Sequence, residues 1–259
     1  MMNRPVVMVT GSNRNTGLGI IRFFAQNGWD VVAACRNQEN AEKTVRLLNT
    51  ESPDAEAIGV WFSQEKPEEI KEAFERVKEH FGKLDALICN ATTTGRQTFL
   101  EITPDEMSEI MNTNVNGYLF CAQEAAKMMI PQHKGSIVMI SSVQSKGAVP
   151  RMIAYAASKA AINSISRSIA IETAKYGIRC NVILAGAIHV DKWDTFSPEL
   201  LAAKRKNWPL ERESTPEEIA EACMFLASDR SATVTGTELA VDSGLLPCLL
   251  PYNKNWEEA

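Results

Sequence analysis

Short apolar runs alternate with longer stretches in which apolar residues recur every three or four positions, and this alternation persists along most of the chain. Val6–Thr10 is rich in β-branched residues and too brief for a helix, so it predicts a strand buried on both faces. Ile20, Ile21, Phe23, Phe24 and Ala25 predict a helix that stops at Gly28, and residues 31–35 a second strand. The same reading gives a helix over 37–49 and a strand over 57–62. A helix over 67–81 carries Ile70, Phe74, Val77 and Phe81 on one face and ends at Gly82; a strand over 84–89 follows. Thr103-Pro104-Asp105-Glu106 is a capping box with proline at the first helical position, opening a helix that should run toward Met129. Beyond it come a strand over 136–141, a long helix over 154–176 closed by Gly177, and a strand over 180–184. Thr215-Pro216-Glu217-Glu218 repeats the capping signal for a helix to Ala227, before a last strand over 238–241.

Strands interleaved with helices in this way predict an α/β fold: one doubly wound, Rossmann-type, seven-stranded parallel sheet with helices on both faces. No linker, repeat or low-complexity segment divides residues 1–259, so a single domain is expected. Residues 187–214 break the rhythm as a long insertion, and loops of that length are usually functional, which makes this one a candidate substrate lid. Ligands of such sheets bind at the carboxyl ends of the strands. There the chain places a glycine-rich turn, Gly11-Ser12-Asn13-Arg14-Asn15-Thr16-Gly17, ahead of a helix whose free amides and dipole favour an anion. The other strand ends carry Arg36, Ser63, Asn90, Ser141-Ser142 and Gly186, each of which also serves as an ordinary turn former.

Composition narrows the class without altering the fold. A chain of 259 residues, 45% hydrophobic and 23% charged, can bury a large core without staples. A net charge of −5 with no basic cluster argues against nucleic acid as a main partner, while local phosphate binding stays open. Cys35, Cys89, Cys121, Cys180, Cys223 and Cys248 form no C-x-x-C pair; they read as reduced thiols, with no metal site expected. No signal-like segment precedes the first strand and no apolar run approaches about 18 residues. The expectation is a cytoplasmic protein that does not bind membranes.

On a helix, Tyr155 and Lys159 lie four apart on one face. A tyrosine has a pKa of about 10, and a fixed positive charge nearby lowers it toward working pH, making a proton donor. Taken alone, this spacing also arises on helices that merely expose the two side chains. The surrounding motifs decide: Thr10-Gly11 through Gly17, Asn90-Ala91, Asn114-Val115-Asn116-Gly117, Ser142 thirteen residues before Tyr155, and Tyr155-x-x-x-Lys159. Together with Pro216-Glu217-Glu218-Ile219-Ala220 and Val241-Asp242-Ser243-Gly244, they resemble the short-chain dehydrogenase/reductase family over nearly the whole length.

That resemblance implies an oxidoreductase that interconverts a secondary alcohol and a ketone by hydride transfer with a nicotinamide nucleotide. Tyr155 becomes the acid/base, Lys159 lowers its pKa and holds the nicotinamide ribose, and Ser142 hydrogen-bonds the substrate oxygen. Asn114 holds a water linking Lys159 to solvent. The cofactor is expected along Gly11, Ser12, Asn13, Arg14, Thr16, Gly17, Leu18 and Arg36, then Ser63, Gln64, Asn90, Ala91, Thr92, Gly186 and Ile188, reaching Tyr155 and Lys159. The substrate is expected against Ser142, Gln144, Tyr155, His189 and Trp193, with Lys146, Arg151, His189 and Lys192 hinting at a polar or anionic compound if they do not simply face water. Family members are commonly tetramers pairing the helices that correspond to 104–129 and 154–176, so a homotetramer or homodimer is expected. The apolar tail 245–252 is a candidate subunit contact.

The chain also departs from the family pattern. Asn15 stands at the usual middle glycine, Ser63 at a frequent aspartate, Thr92 at a glycine, Ala185 at a proline and Val190 at a threonine. Asparagine is the next best residue for a left-handed backbone, so the turn is expected to survive. Relatives that have lost the nucleotide pair the serine and tyrosine with arginine, whereas position 159 is lysine, so redox chemistry is expected. An acid at the end of the second strand would bind the ribose diol of NAD; Cys35 stands there, followed by Arg36, with Arg14 in the turn, and guanidinium groups suit a 2'-phosphate. NADP(H) is therefore the expected cofactor. A catalytically silent nucleotide-binding sensor on the same fold is the alternative.

Overall fold

The computed structural model describes residues 4–248. All seven strands are parallel and belong to one sheet: β1 (Val6–Thr10), β2 (Asp30–Cys35), β3 (Ala57–Trp61), β4 (Ala86–Cys89), β5 (Gly135–Ser142), β6 (Ile178–Ala185) and β7 (Glu238–Val241). Their order across the sheet is β3-β2-β1-β4-β5-β6-β7, the doubly wound arrangement that the alternation predicts. Alternate residues of β1 feed opposite cores, which is why its sequence is apolar throughout. Val6 and Met8 pack with α3 (Pro67–Phe81), α5 (Gly117–Met129) and α6 (Ile153–Thr173). Val7 and Val9 pack with α1 (Asn15–Gln26), α2 (Gln38–Glu51) and α8 (Pro216–Ala227). Each such side chain, fully buried, contributes roughly 1.5–3 kcal/mol of hydrophobic stabilisation.

Two segments differ from the sequence expectation. The helix expected over 104–129 is split: α4 (Pro104–Met111) and α5 are joined by a π-helical turn, Asn112–Asn116. Asparagine and glycine are weak helix formers, so the widened turn costs little here. It turns Asn114 and Val115 both into the interior. Gly117 is required just beyond, because a Cβ there would lie 2.6 Å from the Gln64 Cβ.

Residues 187–214, expected as a long insertion and candidate lid, contain a 3-10 turn at Asp191–Thr195 and a helix, α7 (Pro198–Arg205). The Ser197 hydroxyl caps α7 by accepting the Leu200 amide at 3.2 Å, with Pro198 in its first turn. Serine followed by proline is the signal already visible at Thr103 and Thr215. The root of the loop is closed by hydrogen bonds from His189 N to Ser214 O (2.8 Å) and from Ser214 N to Ala187 O (2.9 Å). Leu246 packs against the core, and residues 249–252 of the apolar tail lie outside the described residues.

Candidate active site

The carboxyl ends of β1 and β4 part where the winding of the sheet reverses, and Thr10 knits them together. Its buried hydroxyl accepts the amides of Asn90 (2.9 Å) and Ala91 (3.0 Å), while Asn90 Nδ2 donates to Thr10 O at 3.0 Å. Above this clip lies a cleft of about 440 Å³. Of the expected cofactor residues, Gly11, Asn13, Arg14, Thr16, Gly17, Arg36, Ser63, Gln64, Asn90, Ala91 and Thr92 line it. Ser12 does not: it is fully buried, with its hydroxyl turned toward Ala34 O and Cys35 Sγ. Leu18 and Ile188 pack against the core beside α1 and α8, Gly186 backs onto Asp242, and Lys159 is buried, so these four, like Tyr155, lie outside the cleft lining. Asn15 of the expected turn and Thr93 line it too, and Glu65, Glu109 and Thr113 line it without having been expected. For Glu109 and Thr113 the only signal is their spacing of four, which becomes legible once the π-helical turn is known.

The cleft suits a dinucleotide. A Cβ at Gly17 would meet Gly11 O at 2.2 Å, so the turn closes only with glycine and leaves its backbone open to a ligand. Asn15 keeps the left-handed conformation expected of it, with φ of 49°. Arg14 and Arg36 make no ion pair among the described residues. Cys35 is buried and its thiol is pushed up by desolvation, so β2 ends without a negative charge.

The four expected catalytic residues converge from β5, α6 and the π-helical turn. Lys159 is only 1% exposed, and its Nζ donates to Ile140 O at 2.8 Å. The ammonium lies 5.5 Å from the Tyr155 ring centroid and 5.1 Å from that of Tyr118. Burial without a carboxylate partner brings the Lys159 pKa down to about 7. Burial also pushes the Tyr155 phenol above its ordinary value, opposed by a hydrogen bond with Ser142. In this geometry desolvation by burial outweighs the hydrogen bond with Ser142, so the direction is opposite to the depression by Lys159 that the family resemblance implies.

Asn114 is completely buried and fully engaged. Its Oδ1 accepts the Thr93 amide at 2.8 Å, and Nδ2 donates to Thr93 O (2.9 Å) and to Ser158 Oγ (3.0 Å). Ser158, which sequence reasoning missed, in turn donates to Tyr155 O at 2.7 Å. With both amide hydrogens committed, a water at Asn114 would have to be held by its oxygens.

The expected substrate residues divide. Gln144 sits beside Ser142, its amide donating to Ser142 Oγ at 3.2 Å, and its buried Oε1 has no partner. His189 is instead taken up by the loop, between Glu213 (3.0 Å) and Asp194 (2.9 Å), which raise its pKa. Trp193 packs with tilted rings against Phe196 and Trp208, both at 5.8 Å between centroids. Lys146 pairs with Glu238 at 2.8 Å, and Arg151 Nε donates to Arg96 O at 3.0 Å. Three of the four basic residues that hint at an anionic substrate thus have partners within the chain.

This constellation of glycine-rich turn, serine, tyrosine and lysine on a doubly wound sheet defines a nucleotide-dependent oxidoreductase. The chain belongs to the short-chain dehydrogenase/reductase family: the family model described as enoyl-(acyl carrier protein) reductase matches residues 11–246. Among curated proteins it is similar to an L-rhamnose-1-dehydrogenase of Scheffersomyces stipitis, at 36% identity over 95% of this chain and 97% of the relative. It is also similar to a 3alpha-hydroxysteroid dehydrogenase of Mediterraneibacter gnavus, at 33% identity over 93% and 97%. A solved short-chain type dehydrogenase/reductase from Mycobacterium ulcerans superposes with a TM-score of 0.89 at 25% identity, covering 96% of this chain and 92% of that one. The protein is an oxidoreductase of this family, acting on a small molecule with a nicotinamide cofactor.

Proposed function

We propose that the protein interconverts a secondary alcohol and a ketone with NADP(H). The observation that carries this reading is the buried Lys159 amine beside Tyr155, with Ser142 hydrogen-bonded to the phenol, at the carboxyl edge of the sheet. When bound, NADP(H) supplies or accepts the hydride. Tyr155 Oη gives its proton to the carbonyl oxygen in reduction, and Ser142 Oγ donates a hydrogen bond to the same oxygen. A phenol held neutral suits this direction; alcohol oxidation needs its proton removed first. Lys159 has one hydrogen on Ile140 O and offers the rest of its Nζ to ribose hydroxyls and a water that Asn114 holds. The loop 187–214 covers the substrate, with Gln144 as a polar contact.

The preference for NADP(H) is supported by two guanidinium groups without an ion pair among the described residues, Arg14 and Arg36, lining the cleft beside a Cys35 thiol pushed up by burial. We place the protein in the cytoplasm, consistent with the buried free thiols of Cys35, Cys89, Cys121, Cys180 and Cys223. We further propose association with a second copy through α5 and α6, whose Leu119, Ile153 and Ile171 are exposed; a monomer by light scattering at micromolar concentration would overturn this.

The test of function follows NADPH absorbance during incubation with sugar lactones, oxosteroids, keto acids and simple ketones. Turnover of at least one class is expected, falling by roughly 10³-fold in Tyr155→Phe. Undiminished turnover in that variant refutes the mechanism. Arg36→Ala is expected to lower the NADPH-to-NADH efficiency ratio about tenfold, and equal use of both nucleotides by the wild type would sink the cofactor assignment.

A further inference from the structure

Asn15 occupies a left-handed position that glycine would fill without strain. Unlike glycine, it carries an acceptor across the turn: its Oδ1 takes the main-chain amide of Asp191 at 3.2 Å, 176 positions further along the chain. Asp191 opens the turn Asp191–Thr195, whose Trp193 packs against Phe196 and Trp208 inside the loop. The loop is otherwise fastened at its root, through Ala187, His189 and Ser214, and at its far end, where Leu210 N donates to Ser243 O at 3.2 Å and Arg212 donates to both carboxylate oxygens of Glu218 on α8, at 2.7 and 2.5 Å. Among the described residues, the Asn15 contact is the hydrogen bond that ties the span 190–209 to the body of the protein. Asn15 also lines the 440 Å³ cleft, so whatever orders residues 13–17 orders the acceptor that Asp191 uses.

We propose that Asn15 is a positioning residue that latches the loop 187–214 to the nucleotide turn, so that a dinucleotide seated on Gly11 to Gly17 steadies the loop over the substrate. This rests on reading the cleft as the NADP(H) site and the loop as a cover. The latch requires both properties of asparagine: tolerance of a positive φ and a short side chain ending in an acceptor. Glycine keeps the first and loses the second. Aspartate keeps both.

Hydrogen exchange of peptides spanning 190–197, read by mass spectrometry with and without NADPH, tests the latch in wild type, Asn15→Gly and Asn15→Asp. Calorimetry confirms nucleotide binding by each protein. In the wild type, NADPH is expected to slow exchange in these peptides at least tenfold. Asn15→Gly should exchange about tenfold faster than wild type before nucleotide is added and should lose most of the slowing while NADPH binds. Asn15→Asp should restore it. The same loss is expected to raise the KM of the ketone more than it changes kcat. Wild-type exchange in Asn15→Gly, in both conditions, overturns the latch. Failure of the wild type to bind NADPH overturns the cofactor reading instead, and the comparison without nucleotide still decides the latch.

Discussion

Lys159 and Glu213 are both charged groups removed from water, and the fold treats them in opposite ways. Glu213, in the loop 187–214 and 6% exposed, receives a two-pronged Arg205 guanidinium at 2.7 and 2.6 Å and the His189 ring at 3.0 Å. Arg205 foremost pulls its carboxyl down to about 2. Lys159 has a carbonyl and two aromatic faces but no carboxylate, and its ammonium comes down to about 7. Full pairing moves a group out of the working pH range and makes it structural; burial without a counter-ion moves a group into that range and makes it available for proton chemistry.

Replacing Lys159 should sharpen this contrast most. Between pH 7 and 10.5 the unfolded chain binds a proton that the folded chain refuses, so this amine makes stability rise with pH across that window. Lys159→Met is expected to lower kcat/KM by at least about 10²-fold while stabilising the fold at pH 7 by roughly 2 kcal/mol, a rise of several degrees in Tm. A lower Tm for the variant, measured by calorimetry, would break the comparison.

Glu213→Gln leaves Arg205 and His189 without their shared anion. Tryptic cleavage after Lys192 is expected to accelerate about tenfold with little change in the global Tm, because the loss is confined to the loop. The carboxyl's own contribution is complete above about pH 4.5 and fades only as pH falls through about 2, so it stays constant from pH 6 to 8. His189 has a raised pKa, so its contribution is present below about 6.5 and is lost as pH rises through the folded value. Loop cleavage should therefore quicken with pH in the wild type, and the dependence should flatten in His189→Gln.

The smallest effect is expected at Ser142, whose hydroxyl is what draws Tyr155 downward against burial. Beyond a lower rate, Ser142→Ala should move the rising limb of the alcohol-oxidation pH profile to more alkaline values. A limb that stays in place would show that the hydroxyl touches substrate alone.

Much of this was legible along the chain because it depends on local chemistry. The interior strands are apolar on both faces, the helices at Pro104 and Pro216 announce themselves by capping boxes, and Asn15 is the residue type that a left-handed turn tolerates after glycine. Ser197-Pro198 carried a similar message for α7 at the level of sequence. What stayed hidden depends on partners far away in the chain. The π-helical turn at Asn112–Asn116 is selected by burying Asn114 against Thr93 and Ser158. His189 could have faced a substrate until the fold placed Glu213 and Asp194 on either side of it.

The amino-acid sequence by itself determined the α/β alternation, the glycine-rich turn and the presence of serine, tyrosine and lysine at spacings that fit one site. Only the tertiary structure decided the protonation tendencies of those groups, because a pKa depends on what surrounds a side chain and how much water remains there. For that reason Tyr155, expected to be lowered by Lys159, is raised by burial, and Lys159 itself is the group brought near neutrality.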